Sequence, residues 1–102
     1  MGLTISLENE RGEALEQLGD HQNILHRLLP SIEDRTFTCL RFVDWYADTT
    51  FNSLQVEELL HDLKRVRQAA QAPDEANLLD EIVRLARKVQ KEPHQYLKFY
   101  GD

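Results

Sequence analysis

The chain has 102 residues, 41% of them hydrophobic and 29% charged, with a formal net charge of −6; such a length holds one domain with one core, and such a composition is that of a folded protein rather than a disordered one. One cysteine excludes an internal disulfide, no basic stretch leads into an apolar run as in a signal peptide, and no apolar segment approaches the roughly 20 residues that span a bilayer, so the cytoplasm is the expected compartment. The acid is unevenly spread, with 4 basic and 9 acidic side chains in residues 1–51, and such a field repels nucleic acid and anionic membranes while favouring cationic partners.

Leu3 to Glu8 alternates apolar and polar side chains, the period of a half-buried strand. Asn9 to Gly12 reads as a turn. A helix is expected from about Glu13 to Leu29, with Leu15, Leu18, Gln22, Leu25 and Leu29 on one stripe and Pro30 as its stop. Gly19 weakens that helix by about 1 kcal/mol relative to alanine. After the polar connection Ser31–Arg35, the segment Phe37–Val43 is rich in aromatic and β-branched residues and reads as a second strand, central in its sheet. Asn52 and Gln55 have the spacing of a capping box, with Phe51 and Val56 as the hydrophobic staple. They open a helix to about Ala70 whose buried stripe is Leu59, Leu60, Leu63 and Val66. Asp74 and Glu75 open a third helix with an apolar face of Leu78, Leu79, Ile82, Val83, Leu85, Ala86 and Val89, and Glu92-Pro93 ends it. In both helices acids precede bases, which complements the helix dipole. Gln95 to Tyr100 alternates again, Leu97 and Phe99 against Tyr96, Lys98 and Tyr100. The expected architecture is therefore α+β, a two-layer sandwich of a three-stranded sheet and three helices in the order β-α-β-α-α-β.

Chemistry-bearing groups are sparse. His21 and His26 stand about 140° apart around a helix of 3.6 residues per turn, a poor joint ligand geometry, and there is no CxxC or HExxH spacing, so neither a metal site nor a cofactor is expected. The four glycines are scattered at Gly2, Gly12, Gly19 and Gly101, which leaves no phosphate-binding loop and no GxSxG nucleophile turn. Cys39 sits in an apolar stretch where a small thiol packs as filler. The segment Asp44-Trp45-Tyr46-Ala47-Asp48 gathers two aromatic residues and two carboxylates. As catalysts Asp44 and Asp48 would need environments that drive their pKa values apart, and nothing in the sequence marks which would rise. A calcium loop lacks its spacing and its central glycine. Two readings stay open: Trp45 caps the core while the acids solvate a loop, or the segment is a binding surface, since Trp and Tyr are preferred anchors and neighbouring carboxylates pair with a basic partner. No catalytic residue is assigned, and the chain reads as a binding protein rather than an enzyme.

The stretches Leu40-Arg41-Phe42-Val43-Asp44 through Asp48-Thr49-Thr50-Phe51-Asn52, and Tyr96-Leu97-Lys98-Phe99-Tyr100-Gly101-Asp102, are similar to segments of small uncharacterised bacterial proteins. Size, acidity, cytoplasmic character and mixed α/β order, with no diagnostic motif, give a chain that resembles the small immunity proteins of bacterial contact-dependent growth inhibition and related toxin systems. That resemblance implies a protein that binds one cognate basic toxin domain, often a nuclease, and blocks its active site or substrate access. The expected contact surface is Asp44, Trp45, Tyr46, Asp48, Glu57, Glu58 and Asp62, the last two sharing a helix face at i, i+4. The alternative is a small cytoplasmic adaptor or regulatory protein acting as a homodimer through an exposed apolar or aromatic face.

Overall fold

The computed structural model describes residues 2–101, in which four antiparallel strands carry two helices on one face. The strands are β1 (Thr4–Asn9), β2 (Ala14–Gly19), β3 (Asp48–Phe51) and β4 (Gln95–Tyr100), and the helices are α1 (Val56–Ala69) and α2 (Pro73–Lys91). The sheet order is β2-β1-β4-β3, so the chain runs β-β-β-α-α-β. The α+β class agrees with the sequence reading; the three-stranded sheet and the three helices do not.

The first correction falls on residues 13–29. The expected helix is replaced by β2, a short irregular link and a 3-10 turn at Ile24–Arg27. A hairpin turn precedes β2, where Gly12 adopts φ 80°. The Asn9 side-chain oxygen accepts the N–H groups of Arg11 at 2.9 Å and Glu13 at 3.1 Å. Both features commit the backbone to reversal where a helix would have to begin. Leu18 and Glu16 lie opposite Ile5 and Leu7 of β1, and Glu16 occupies the helix-facing side because Arg84 meets it at 2.9 Å and Lys88 also pairs with it. A carboxylate in an inward position erases the alternation that would have marked a strand. Leu15 is the extra residue of a β-bulge, since Leu7 pairs Glu16 and Glu8 pairs Ala14.

The second correction falls on Phe37–Val43, which is no strand. The N–H groups of Thr38, Cys39 and Leu40 go to the Asp62 side chain and those of Phe37, Phe42 and Val43 to local turn carbonyls rather than to a ladder, and only a 3-10 turn forms at Leu40–Phe42. The strand that completes the sheet comes later, at Asp48–Phe51, and it lies at an edge beside β4. The elements from Phe51 onward follow the sequence more closely. Asn52 N–H donates to Gln55 Oε1 at 2.9 Å and Gln55 N–H to Asn52 Oδ1 at 3.0 Å, the reciprocal pair of a capping box. Pro73 takes the first position of α2, where its missing N–H costs nothing, and Glu75 reaches back to the N–H groups of Gln71 and Ala72.

The core lies between the helices and the inner sheet face. Ile5, Leu7, Leu97 and Phe99 from the sheet meet Leu59, Leu63, Leu79, Ile82, Leu85, Ala86 and Val89 from the helices, and Phe51 stands edge-to-face on Phe99 with centroids 5.8 Å apart. Each such large side chain contributes about 1.5–3 kcal/mol by leaving water. The outer sheet face has no helix over it and is polar. There the Tyr100 hydroxyl donates to Glu8, and Lys98 lies 3.9 Å from the same carboxylate. β4 is thus a central strand with its Tyr-Lys-Tyr side outward, not an edge strand.

Phe99→Ala should destabilise the fold by about 3–5 kcal/mol, the cost of deleting a buried aromatic ring, measured by urea unfolding. Acid should act through two carboxylates. Hydrogen bonds from Lys88 and Arg84 hold Glu16 below the usual carboxylate range; the Ala72 N–H and then the Arg27 side chain do the same for Glu75. Their folded-state values lie below the unfolded one, so their contribution is complete above about 4.3 and is lost as the pH falls through the folded values. A Glu16→Gln, Glu75→Gln double variant should therefore show a shallower loss of stability on acidification than the wild type.

Candidate functional site

Between β2 and β3 runs the stretch 20–47, which contains no strand and no helix beyond two 3-10 turns. Buried backbone groups there still require partners, and two carboxylates supply them. Asp20, 2% exposed, accepts the N–H groups of Ile24 and Leu25, each at 2.8 Å. Asp62 of α1, 3% exposed, accepts those of Cys39 at 2.7 Å, Leu40 at 3.0 Å and Thr38 at 3.4 Å. Arg65, one turn further along α1, donates to the Thr36 carbonyl at 2.7 Å and stacks over the Phe37 ring at 4.0 Å. The far end of the stretch is closed by Gly101, whose N–H donates to the Ala47 carbonyl at 3.0 Å. A side chain at Gly101 would meet the Trp45 carbonyl at 2.6 Å, so only glycine allows this approach.

Pinned in this way, the segments 30–32 and 41–46 enclose a shallow cleft of about 430 Å³. Ile32, Phe42 and Tyr46 stand on it with 54%, 51% and 84% exposure. Trp45 lies half-buried against the core, with the His26 ring edge-on at 5.6 Å. Polar groups at the rim are already oriented. Arg41 donates to the Ile32 carbonyl at 2.9 Å and its guanidinium sits 4.3 Å above the Phe42 ring. Asp44 accepts the Tyr46 N–H at 2.8 Å while its own N–H donates to Thr49 Oγ1 at 3.0 Å. The arrangement offers apolar contact and hydrogen bonding.

The seven residues expected to form one contact surface are divided by the fold. Asp44, Trp45 and Tyr46 do line the cleft. Asp48 begins β3 opposite Tyr100 and belongs to the outer sheet face. Glu57 and Glu58 are exposed on the first turn of α1, Glu57 opening onto the groove between the helices. Asp62 is buried away from the others, its carboxylate taken up by the N–H groups of residues 38–40. The i, i+4 relation with Glu58 is real, but Asp62 also falls on the buried phase of Leu59, Leu63 and Val66. Ile32, Arg41 and Phe42, with Pro30, Ser31 and Val43, line the cleft outside the expected set. Phe42 was hidden by its assignment to a strand, and Ile32 by the polar residues around it.

Among the described residues no group of three His, Cys, Asp or Glu side chains is placed to hold a metal ion. Cys39 is buried, and its thiol is pushed up by that burial and then by the Asp62 charge, which opposes formation of a thiolate. No helix among the described residues is long and apolar enough to cross a membrane. The chain matches no protein family, no curated protein and no solved structure, so its functional reading rests on the geometry.

Asp62→Ala should cost at least about 2 kcal/mol, because it strands buried N–H donors that each lose a charged acceptor, whereas Glu58→Ala, on the exposed side of the same helix, should stay within about 0.5 kcal/mol. Urea unfolding of the pair reads the difference, and hydrogen exchange should place the loss of protection in residues 38–40.

Proposed function

We propose that the chain is an immunity protein, a binding protein that neutralises a basic toxin domain by docking it at the cleft of segments 30–32 and 41–46. The observation that carries the reading is the gathering of Ile32, Phe42 and Tyr46, three of the five exposed large hydrophobic side chains among the described residues, on one concavity. Singly scattered apolar residues need no explanation, but a contiguous group with a polar rim marks an interaction site. Aromatic residues and arginine are also the types that dominate binding energy at protein interfaces. Here Arg41 is held by the Ile32 carbonyl and the Tyr46 backbone by Asp44, which lowers the ordering that binding must cost.

The net charge of −6 supports a cationic partner through steering of the encounter. Asp44 sits in the cleft itself, and Asp48, Glu57 and Glu58 add to the field from neighbouring surfaces. A toxin that cleaves nucleic acid has a basic substrate groove, and an acidic inhibitor seated over it competes with the phosphate backbone. The enzyme reading has less support, because the cleft carboxylate Asp44 is engaged with the Tyr46 backbone. A homodimeric adaptor using the same apolar cluster is the second reading, favoured by the high exposure of Tyr46.

The experiment is capture of the partner by tagged protein from its native lysate, at low and high salt, with wild type and a Phe42→Ala, Tyr46→Ala double variant side by side. The immunity reading expects one stoichiometric basic partner, slower association as salt rises, and loss of at least about 2 kcal/mol of affinity in the folded double variant. Retention of the partner by that variant removes the cleft from the function. Recovery of the protein alone, as a dimer that the double variant dissolves, replaces the toxin with a second copy.

A further inference from the structure

The solvent side of the α1–α2 hairpin carries a surface that the cleft does not use. A groove of about 530 Å³ runs between the helices, with half-buried Leu60 and Val83 as an apolar floor, the cations Lys64, Arg67 and Arg87 at its rim, and the carboxylates of Glu57 and Asp80 beside them. It continues past Val83 and Arg87 into a second hollow bordered by Arg84, Lys88 and Lys91. Residues 84–91 contain these four cations and no acid, and their i, i+3, i+4, i+7 spacing keeps them on one stripe of α2. In a chain of net charge −6 this is a local reversal of sign.

Internal pairing and helix stability account for part of it. Arg67 pairs with Asp80, and Arg84 and Lys88 with Glu16. Lys88 and Lys91 lie in the last turn of α2, where they complement the dipole. Lys64 and Arg87 fit neither account. Neither forms an ion pair among the described residues, and both lie before the last turns of helices that end at Ala69 and Lys91, outside the reach of the dipole effect. They flank the apolar floor from the two helices.

We infer that this groove is a second docking site, for an acidic amphipathic helix of a protein partner. The apolar floor between two helix ridges suits the helix-in-groove mode, in which apolar side chains at i, i+3, i+4 and i+7 enter the groove. Carboxylates beside them would meet Lys64 and Arg87 without displacing an existing ion pair. Nucleic acid has the same sign of charge as this partner but is disfavoured, because the rest of the molecule repels a polyanion while a short helix contacts the groove alone.

The test uses fluorescence anisotropy of a labelled amphipathic glutamate/leucine helix peptide against the full chain. A lysine/leucine peptide of the same pattern and a single-stranded oligonucleotide serve as comparison probes. The acidic peptide is expected to bind in preference to both. Its affinity should fall at least tenfold in a Lys64→Glu, Arg87→Glu variant, weaken as salt rises, and fall again in Val83→Asp. Phe42→Ala with Tyr46→Ala should leave it unchanged, which separates this site from the cleft. Circular dichroism confirms that each variant is folded; if Val83→Asp is not, Val83→Ser replaces it. Absence of acidic-peptide binding, insensitivity to the charge reversal, or equal binding of the oligonucleotide or the basic peptide overturns the proposal.

Discussion

The carboxylate of Asp62 joins two parts of the molecule that share no backbone ladder. It belongs to the buried stripe of α1, and it takes the N–H groups of Thr38, Cys39 and Leu40 from the irregular stretch that crosses over the core. Asp20 does the same for Ile24 and Leu25 at the start of that stretch. Burying an ionised carboxylate is costly unless it is fully hydrogen-bonded. Leaving a cluster of backbone donors without an acceptor is costly too, and each group here removes the other's penalty. This exchange lets residues 20–47 stay ordered without a strand or helix, and so lets the cleft at residues 30–46 have a fixed shape.

The regular elements serve that arrangement as a frame. β1 and β4 supply Ile5, Leu7, Leu97 and Phe99 to the inner sheet face, and the α1–α2 hairpin closes over them. Edge strand β2 is tied to α2 through Glu16, Arg84 and Lys88, so the sheet edge most distant from β3 is held by ion pairs as well as by Leu18 against the core and the ladder to β1. Arg27 joins the irregular stretch to the start of α2 through Glu75 at 3.0 Å. The cleft is therefore anchored to both helices, by Asp62 on one and Glu75 on the other, and to the last residues of β4 through Gly101.

How much of this was legible depended on whether a residue's burial matched its chemistry. α2 was readable because its inward positions, from Leu79 to Val89, are all apolar. β4 was readable because Leu97 and Phe99 alternate with polar-headed neighbours. β2 was not, because Glu16 faces inward and Leu15 bulges out, which left leucines at helical spacing as the dominant pattern. Phe37–Val43 misled for the complementary reason: its side chains approach the core, but the N–H groups at its centre, of Thr38, Cys39 and Leu40, run to an aspartate from 22 to 24 positions later in sequence, which no local pattern can register. The contact set suffered likewise. Asp44, Trp45 and Tyr46 are adjacent in sequence and stay adjacent in space, whereas Ile32 reaches them only through the fold. Asp62 had a readable signal in its helical phase with Leu59 and Val66, and it was masked by the acid-first order of the helix.

Charge placement links the two surfaces. Residues 1–51, which contain the cleft, carry 4 basic and 9 acidic side chains, while residues 84–91 carry four cations and no acid. On the proposed function, the net charge of −6 would steer a cationic partner to the molecule, and the four cations of residues 84–91 would disfavour its approach to the end of α2. The net charge of −6 already counts these cations, so the long-range field stays acidic. At contact distance the sign is set by the nearest groups, because screening limits exposed charges to about 10 Å. An overall acidic field and a groove rimmed by Lys64 and Arg87 can thus coexist on one small fold, which is what the two proposed docking sites require.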